Sequence, residues 1–431
     1  MIQVLGSSWA LLLGIMLLMV GNGIQGTLLG IRGNLEGFST FEMSIVMSSY
    51  FAGFLFGSRM APELIRKVGH IRVFAALGSF ISAVLILYPT LADPVSWSLL
   101  RLFIGFCFSG VYVTAESWLN NAADNQNRGK ALSLYLIVQM IGIIVAQGLV
   151  VVGDPTGFVL FVIPSVLVSI AFAPILLSVS PTPPFDTSRR LSLRALFEIS
   201  PLGVIGILFV GAAYAVMFGM AGVYGTEAGL TKEKLSYFVA SFYVGGLLLQ
   251  YPIGWLSDRS GRRLLIIICS SIGLTASLVA YLAPGYATLL AAAFFIGGMM
   301  GPLYGLLLAH TNDYLEPEEM AAASSGMMFV NGVGAIVGPL AAGWLMGPLG
   351  AGGFFLVLGA LLSVLIAYAV WRSTRRAAIP VDATGGIVSV MPQASLVAVE
   401  VAQEVYVEAL EEQMDNGEEG QTETDGRRSA Q

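Results

Sequence analysis

The sequence predicts an all-α membrane protein of twelve transmembrane helices arranged as two six-helix pseudo-repeats, and three observations carry that prediction. The 431 residues are 56% hydrophobic and only 11% charged, against about 25% charged in a typical soluble domain. Apolar stretches of about 20 residues, the length that spans a bilayer's hydrocarbon core, recur along the chain. The chain also aligns with itself, without gaps, at a constant offset of 192 residues. Ser49-Tyr50-Phe51-Ala52-Gly53 falls on Ser241-Phe242-Tyr243-Val244-Gly245, Phe103-Ile104-Gly105 on Phe295-Ile296-Gly297, Tyr112 on Tyr304, Gly69 on Gly261 and Gly142 on Gly334. Same-sense repeats of a membrane bundle are a transporter plan.

The apolar stretches lie near 8–30, 41–60, 73–91, 97–118, 131–152, 158–178, 201–222, 236–256, 264–283, 287–309, 323–345 and 353–371. Polar side chains are unevenly shared among them. The first carries Asn22 and Gln25, the fourth Arg101 and Glu116, the fifth Gln139 and Gln147, the eighth Gln250 and the eleventh Asn331. The third, sixth, ninth and twelfth hold no Asn, Gln, His or charged residue. Polar groups are costly in lipid and turn toward the bundle interior or a watery cavity. Every third span is therefore expected to face lipid, around a central polar cavity.

Lys and Arg placement sets the expected topology. With the N-terminus cytoplasmic, 17 of the 21 basic residues lie inside, Arg32, Lys232 and Lys234 lie outside, and Arg101 lies within the membrane. Both termini are thus expected in the cytoplasm, and the setting is a bacterial inner membrane. The expected units are an N-terminal six-helix bundle over 1–179, a Pro-rich basic connector over 180–200, a second bundle over 201–372 and an acidic, mostly disordered tail over 373–431. The tail accounts for the formal charge of −6, since residues 377–431 hold 11 of 27 acids and 2 of 21 bases. Within it, Glu400, Glu404 and Glu408 recur every four residues among Val and Leu, a spacing compatible with one amphipathic helix or with an unstructured tail. The opening segment reads as a retained first helix, and Cys107 and Cys269, at unmatched depths, as free thiols.

Gly254-Trp255-Leu256-Ser257-Asp258-Arg259-Ser260-Gly261-Arg262-Arg263 occupies the loop after the eighth span. It resembles the G-x3-D-R-x-G-R-R loop of the major facilitator superfamily, as does the duplicated twelve-span plan across residues 1–372. Gly254, Asp258, Arg259, Gly261, Arg262 and Arg263 are therefore gating-loop candidates. Asp258 is placed to cap a neighbouring helix, and Arg262 and Arg263 to pair with acids or lipid phosphate. The first-half copy departs from the motif: Pro62 stands where it has Gly, and Arg66 where it has Asp. Ser48-Ser49-Tyr50-Phe51-Ala52-Gly53, Arg101-Leu102-Phe103-Ile104-Gly105, Ala115-Glu116-Ser117 and Asn127-Arg128-Gly129-Lys130 resemble the YcaD-like branch. Drug antiporters of the superfamily usually carry a Gly-Pro element in the fifth helix. Gln139 to Gly148 contains no Pro, which counts against a multidrug exporter.

Asn22, Gln25, Gln139, Asn331, Tyr214 and Tyr304 are the candidate solute-binding residues. Gln139 and Asn331 are repeat mates, each about 12 Å into its helix, so a solute could be held from both sides; helix–helix amide bonds are the rival reading. Met217, Phe218, Met220 and Tyr224 join Tyr214 as a candidate apolar wall. Arg101 and Glu116 are the coupling candidates, about 22 Å apart along one helix and so not an ion pair. Arg101 either fills the superfamily's fourth-helix motif or snorkels to the outer interface. Glu116 is either a proton site or a gate contact to Arg66, Lys67 or Arg128. His310 and Asp313 do not make a metal site, and no nucleophile–base set or phosphate loop suggests an enzyme or a cofactor. The expected function is a secondary transporter, working by alternating access on a small organic solute with protons as the candidate coupling ion. The alternatives are an uncoupled facilitator and a transporter-like sensor signalling through its tail. The expected partners are the solute and the bilayer, not nucleic acid, and the chain is expected to work as a monomer.

Overall fold

A computed structural model describes residues 2–122, 128–177, 191–257, 259–283, 285–376, 379 and 390–408. The described residues are helical, with no strand among them. The first six long helices are α1 (Ile2–Leu35), α2 (Thr40–Val68), α3 (His70–Leu87), α4 (Pro94–Ala122), α5 (Arg128–Val152) and α6 (Val159–Leu177). A short α7 (Leu193–Ile199) leads into the second set. There α8 (Pro201–Ala215) and α9 (Ala221–Glu227) form one rod through a π turn, Val216–Met220, and α10 (Lys232–Ser257), α11 (Arg262–Leu282), α12 (Tyr286–Asn312), α13 (Pro317–Leu349) and α14 (Gly353–Ser373) follow. Nine described stretches are long and apolar enough to cross a membrane, and one of them, Glu319–Ser373, runs through both α13 and α14. The apolar but shorter α6 and the more charged α2 complete the twelve rods.

Local chemistry sets the breaks. Ser39 caps α2 reciprocally: its hydroxyl accepts from the Glu42 amide while its own amide donates to the Glu42 carboxylate. Two orphan helix donors are thereby satisfied. Gly69, at φ 87°, turns the chain between α2 and α3 in a region side-chain-bearing residues avoid.

The 192-residue repeat is a repeat of close approaches. A Cβ on Gly53 would land on the carbonyl oxygen of Leu102, and one on Gly245 on that of Phe294, its repeat mate. A Cβ on Gly105 would strike the Tyr50 carbonyl, and one on Gly297 the Phe242 carbonyl. These four glycines let α4 ride on α2, and α12 on α10, at backbone contact, the packing that drives helix association where lipid offers no hydrophobic gain. The rest of each half repeats too, α1 packing on α5 as α8 packs on α13. The halves meet along α2–α13 and along its mate α5–α10. The helices that contain the four apolar stretches without strongly polar residues, α3, α6, α11 and α14, pack mainly within their own half. They leave Phe80, Val166, Ile268, Ile272 and Val364 exposed, as lipid-facing helices would.

The two ends of the bundle differ. At the end bearing Arg32 and Lys232 the halves touch directly. Gly30 lies against the Gly222 backbone, the Lys232 ammonium donates to the Gly153 carbonyl at 2.8 Å, and the Ser48 hydroxyl donates to the Ile336 carbonyl at 2.5 Å. At the basic end, where Arg128 and Arg262 lie, residues 390–408 pass between the halves. Of the two readings the Glu400, Glu404 and Glu408 spacing left open, this segment takes the helical one. Residues 396–408 form a helix, and Met391, Ala394, Ser395, Val397, Ala398, Val401 and Tyr406 are buried. The like-charge spacing of Glu400, Glu404 and Glu408 opposes a free helix only slightly, and the apolar face gains a groove to fill. Most of the remaining tail lies outside the described residues.

Candidate functional site

The first half supplies a buried polar network on α1, α2 and α4. Arg101, fully buried, donates to the Gln25 carbonyl oxygen at 3.0 Å and to the Met47 sulfur at 3.6 Å, and its guanidinium lies 4.7 Å from the centre of the Tyr50 ring. Asn22 donates to the hydroxyls of Tyr112, at 3.2 Å, and Tyr50, at 3.5 Å. Tyr112 in turn donates to the Met19 sulfur. Arg101 therefore does not snorkel: its charge is delocalised over an aromatic face and an amide inside the bundle. Gln147 has a different task. It donates to the Gly23 carbonyl and accepts from Thr27, tying α5 to α1.

The second half contributes α8, the π turn and α13. Tyr214 stacks on Phe218 with centroids 6.1 Å apart, and Phe218 reaches across to Tyr50 and Phe51 of the other half. The π turn is what swings Phe218 out of α-helical register, a distortion frequent at functional sites. Tyr224 by contrast packs among Phe238, Phe354 and Phe355, away from the centre. Asn331 faces Gly211 and donates to the Pro392 carbonyl at 2.6 Å. The space between Tyr50, Phe54, Tyr214, Asn331, Pro392 and Gln393 amounts to about 20 Å³, room for a single water. Asn22 Oδ1, Gln25 Nε2 and Asn331 Oδ1 are buried without a hydrogen-bond partner among the described residues, while the Tyr214 hydroxyl stands beside the Gln393 amide. A buried polar atom left unpaired costs about 1–3 kcal/mol, and of these Asn331 Oδ1 belongs to a residue that borders the central space.

Glu116 lies toward the basic end, buried, and its contacts are not those expected of a gate. Instead of Arg66, Lys67 or Arg128, its carboxylate accepts from the Tyr135 hydroxyl at 2.9 Å, from the hydroxyl and amide of Ser395 and from the Ala398 amide at 3.3 Å. Arg128 pairs with Glu404 of the tail helix. Gln139 and Tyr304 are buried but line no part of the central space, so the expected two-sided amide clasp reduces to Asn331 alone.

Within the loop motif, Asp258 lies outside the described residues. Arg262 donates to the Ala309 carbonyl at 2.9 Å and to the Asp313 carboxylate, joining the start of α11 to the end of α12. Asp313 also accepts from the Tyr406 hydroxyl of the tail at 2.8 Å. Burial raises the Asp313 carboxyl above its ordinary range, against the pull of Arg262 and Tyr406. Arg263 donates to the Arg376 carbonyl and to the Tyr314 hydroxyl. Arg259 folds back over Trp255, Gly254 sits in the last turns of α10, and Gly261 caps α11. A larger crevice of about 560 Å³ opens between α11 and α12, walled by Ile267, Ile272, Val279 and Phe295. Its surface is nearly all apolar and turned outward, suited to acyl chains.

Tyr50, Phe54 and the tail residues Pro392, Gln393 and Ser395 are contributors that the sequence did not single out. Tyr50 lies in the Ser48–Gly53 run, and its repeat mate, Phe242, lacks the hydroxyl, which is the signal the sequence holds for it. Ser395 carries none.

Comparison with known proteins places this chain. An uncharacterized MFS-type transporter YcaD from Salmonella arizonae is 24% identical over 333 residues, covering 76% of this chain and 86% of that protein. The YcaD of Salmonella heidelberg is 25% identical over 345 residues, covering 78% and 87%. Among solved structures, a mutant of the nucleoside transporter NupG superposes with a TM-score of 0.73 at 16% identity, covering 84% of this chain and 99% of that one. A bacterial homolog of the human lysosomal transporter Spinster, inward-facing and unoccupied, gives a TM-score of 0.67 at 13% identity, covering 94% and 98%. The Major Facilitator Superfamily model matches residues 11–240 and 202–402. With that match across nearly the whole of both repeats, the chain belongs to the Major Facilitator Superfamily and is a membrane transporter of its YcaD-like kind.

Proposed function

We propose that this protein is a secondary transporter that carries a small organic solute across a bacterial inner membrane by alternating access, with the basic end in the cytoplasm. The observation that carries the reading is the meeting of the halves at one small space: Tyr50 from the first half, Tyr214 and Asn331 from the second, with an unpaired amide oxygen on Asn331 beside aromatic walls. Aromatic faces and one or two amides suit a flat or partly apolar solute bearing hydrogen-bonding groups. Direct contact at one end and a separable wedge at the other fit one half rocking against the other about that space.

Coupling to protons is assigned to Glu116. The Glu116 carboxylate, buried in α4 among hydroxyl and amide donors, is the group that can exchange a proton as those donors come and go. The test is reconstitution into proteoliposomes with solutes first chosen by thermal shift of the purified protein. Glu116→Gln should abolish accumulation driven by a pH gradient while leaving solute exchange in place. Accumulation that survives the change would leave an uncoupled facilitator as the better description. Asn331→Ala should weaken solute binding at least tenfold, about 1.4 kcal/mol.

A further inference from the structure

We propose that residues 390–408 are a built-in plug: the chain's own tail enters the basic-end mouth between the halves and occupies the solute site until it is displaced. Three anchors at different depths support this. Deepest, the Pro392 carbonyl takes the amide proton of Asn331, and Gln393 stands beside Tyr214 in the central space. Midway, Glu116 receives the Ser395 hydroxyl and the amides of Ser395 and Ala398, the first donors of the tail helix, so the carboxylate caps that helix at its positive end. At the mouth, Gln403 donates to Asn312 and to the Met320 carbonyl and accepts from Ser324, while Tyr406 reaches Asp313. Glu404 pairs with Arg128 on the opposite wall.

The tail thus bonds α4 and α5 of the first half and α12 and α13 of the second at once, which no lipid-exposed or surface-lying segment would do. Ser395 is fully buried, and what remains of the central space admits only one water. A solute approaching from this end and the tail compete for Asn331 and Glu116. The chemistry of the occupant also describes what Glu116 accepts: N–H and O–H donors at a positively polarised end, the character of an amine or amide.

This inference rests on the transport reading for the word solute, but its test does not need transport. In a chain with Cys107 and Cys269 replaced by Ala, Ala335→Cys places a thiol on the wall of the central space. Alkylation by a hydrophilic maleimide in detergent should be slow in the full chain and about tenfold faster when the chain stops at residue 389, the factor for a tail docked about nine-tenths of the time. Should the shortened chain fail to fold, Ser395→Asp in the full chain sets a second carboxylate against Glu116 and should release the tail with the same gain. A synthetic peptide of residues 390–408 added to the shortened chain should restore protection, and the Ser395→Asp peptide should not. Equal labelling rates in the full, shortened and Ser395→Asp chains would overturn the plug. Protection that follows the tail in a protein that moves no solute would sink the transport reading and leave the plug standing.

Discussion

The two halves share a skeleton and differ in what hangs on it. At matched positions the glycines recur: 53 with 245, 105 with 297, 142 with 334, each against the backbone of matched partners. Most of the polar groups near the centre do not recur. Arg101 is matched by Ala293, Glu116 by Leu308, Gln25 by Met217, Asn22 by Tyr214 and Tyr50 by Phe242. Gln139 with Asn331, and Asn120 with Asn312, keep an amide on both sides, and of these four only Asn331 borders the central space. Backbone contact tolerates no side chain, so the packing glycines hold the repeat in place, whereas polar positions facing a cavity are free to specialise. The first half holds the charge and most of the hydrogen bonding; the second provides a largely apolar face with one amide.

If the skeleton is symmetric, substitutions at mated glycines should be equally harmful. Gly105→Val and Gly297→Val should each cost about 3 kcal/mol or prevent folding, because a helix backbone must retreat to admit the side chain. Fluorescence-detected size exclusion after heating would show it, and a large difference between the two would break the symmetry. Asp313→Ala probes a second-half charge whose first-half mate, Asn121, is a neutral amide. It leaves the Arg262 guanidinium buried without its carboxylate and should cost about 3 kcal/mol, at the low end for such pairs because the Ala309 carbonyl remains. Arg101→Met should lose about 2 kcal/mol by stranding Gln25 and uncovering Tyr50, and Arg101→Lys should not rescue it, since an ammonium cannot reproduce the planar stack. Ala293→Met, the mate, should leave solute binding unchanged.

The smallest effect concerns the tail, which has no counterpart in either repeat. Burial and the neighbouring Glu404 push the Glu400 carboxyl from its ordinary 4.5 up to about 7. Docking therefore takes up a proton at Glu400: it is strongest below the ordinary value and weakens as pH rises from about 4.5 through about 7. Glu116 on α4, Arg128 on α5 and Asp313 on α12 also face the tail, so the isolating measurement is a difference. The ratio of labelling rates between shortened and full chains should fall with pH across that window, and Glu400→Gln should flatten the fall.

Much of the skeleton was legible because it is written in local terms. Twelve apolar runs, their basic flanks and the spacing of glycines each depend on a short window of sequence. The centre was legible in part. Asn22, Gln25 and Arg101 sit in one network, and Tyr214 and Asn331 meet at one space, because a polar residue in a membrane helix has few places to go. What could not be read were partners distant in sequence. Glu116 looks toward basic loops when only its helix is considered, yet its ligands are Tyr135 and a serine 279 residues away. Gln139 has the right depth but the wrong azimuth, and depth is all that a helix rise provides.

The tail is covalently attached to the bundle it enters, and that attachment changes what affinity it needs. A tethered segment meets its groove at an effective concentration on the order of millimolar. An intrinsic dissociation constant of the same order then keeps the mouth occupied about half the time, and one only tenfold tighter keeps it closed most of the time. Three modest anchors are enough for that, and each can be lost cheaply. A solute arriving at micromolar concentration has to bind far more tightly than the tail to displace it, while one arriving at millimolar concentration does not. The attachment would thus set a concentration threshold for entry from the basic end, with no second protein involved.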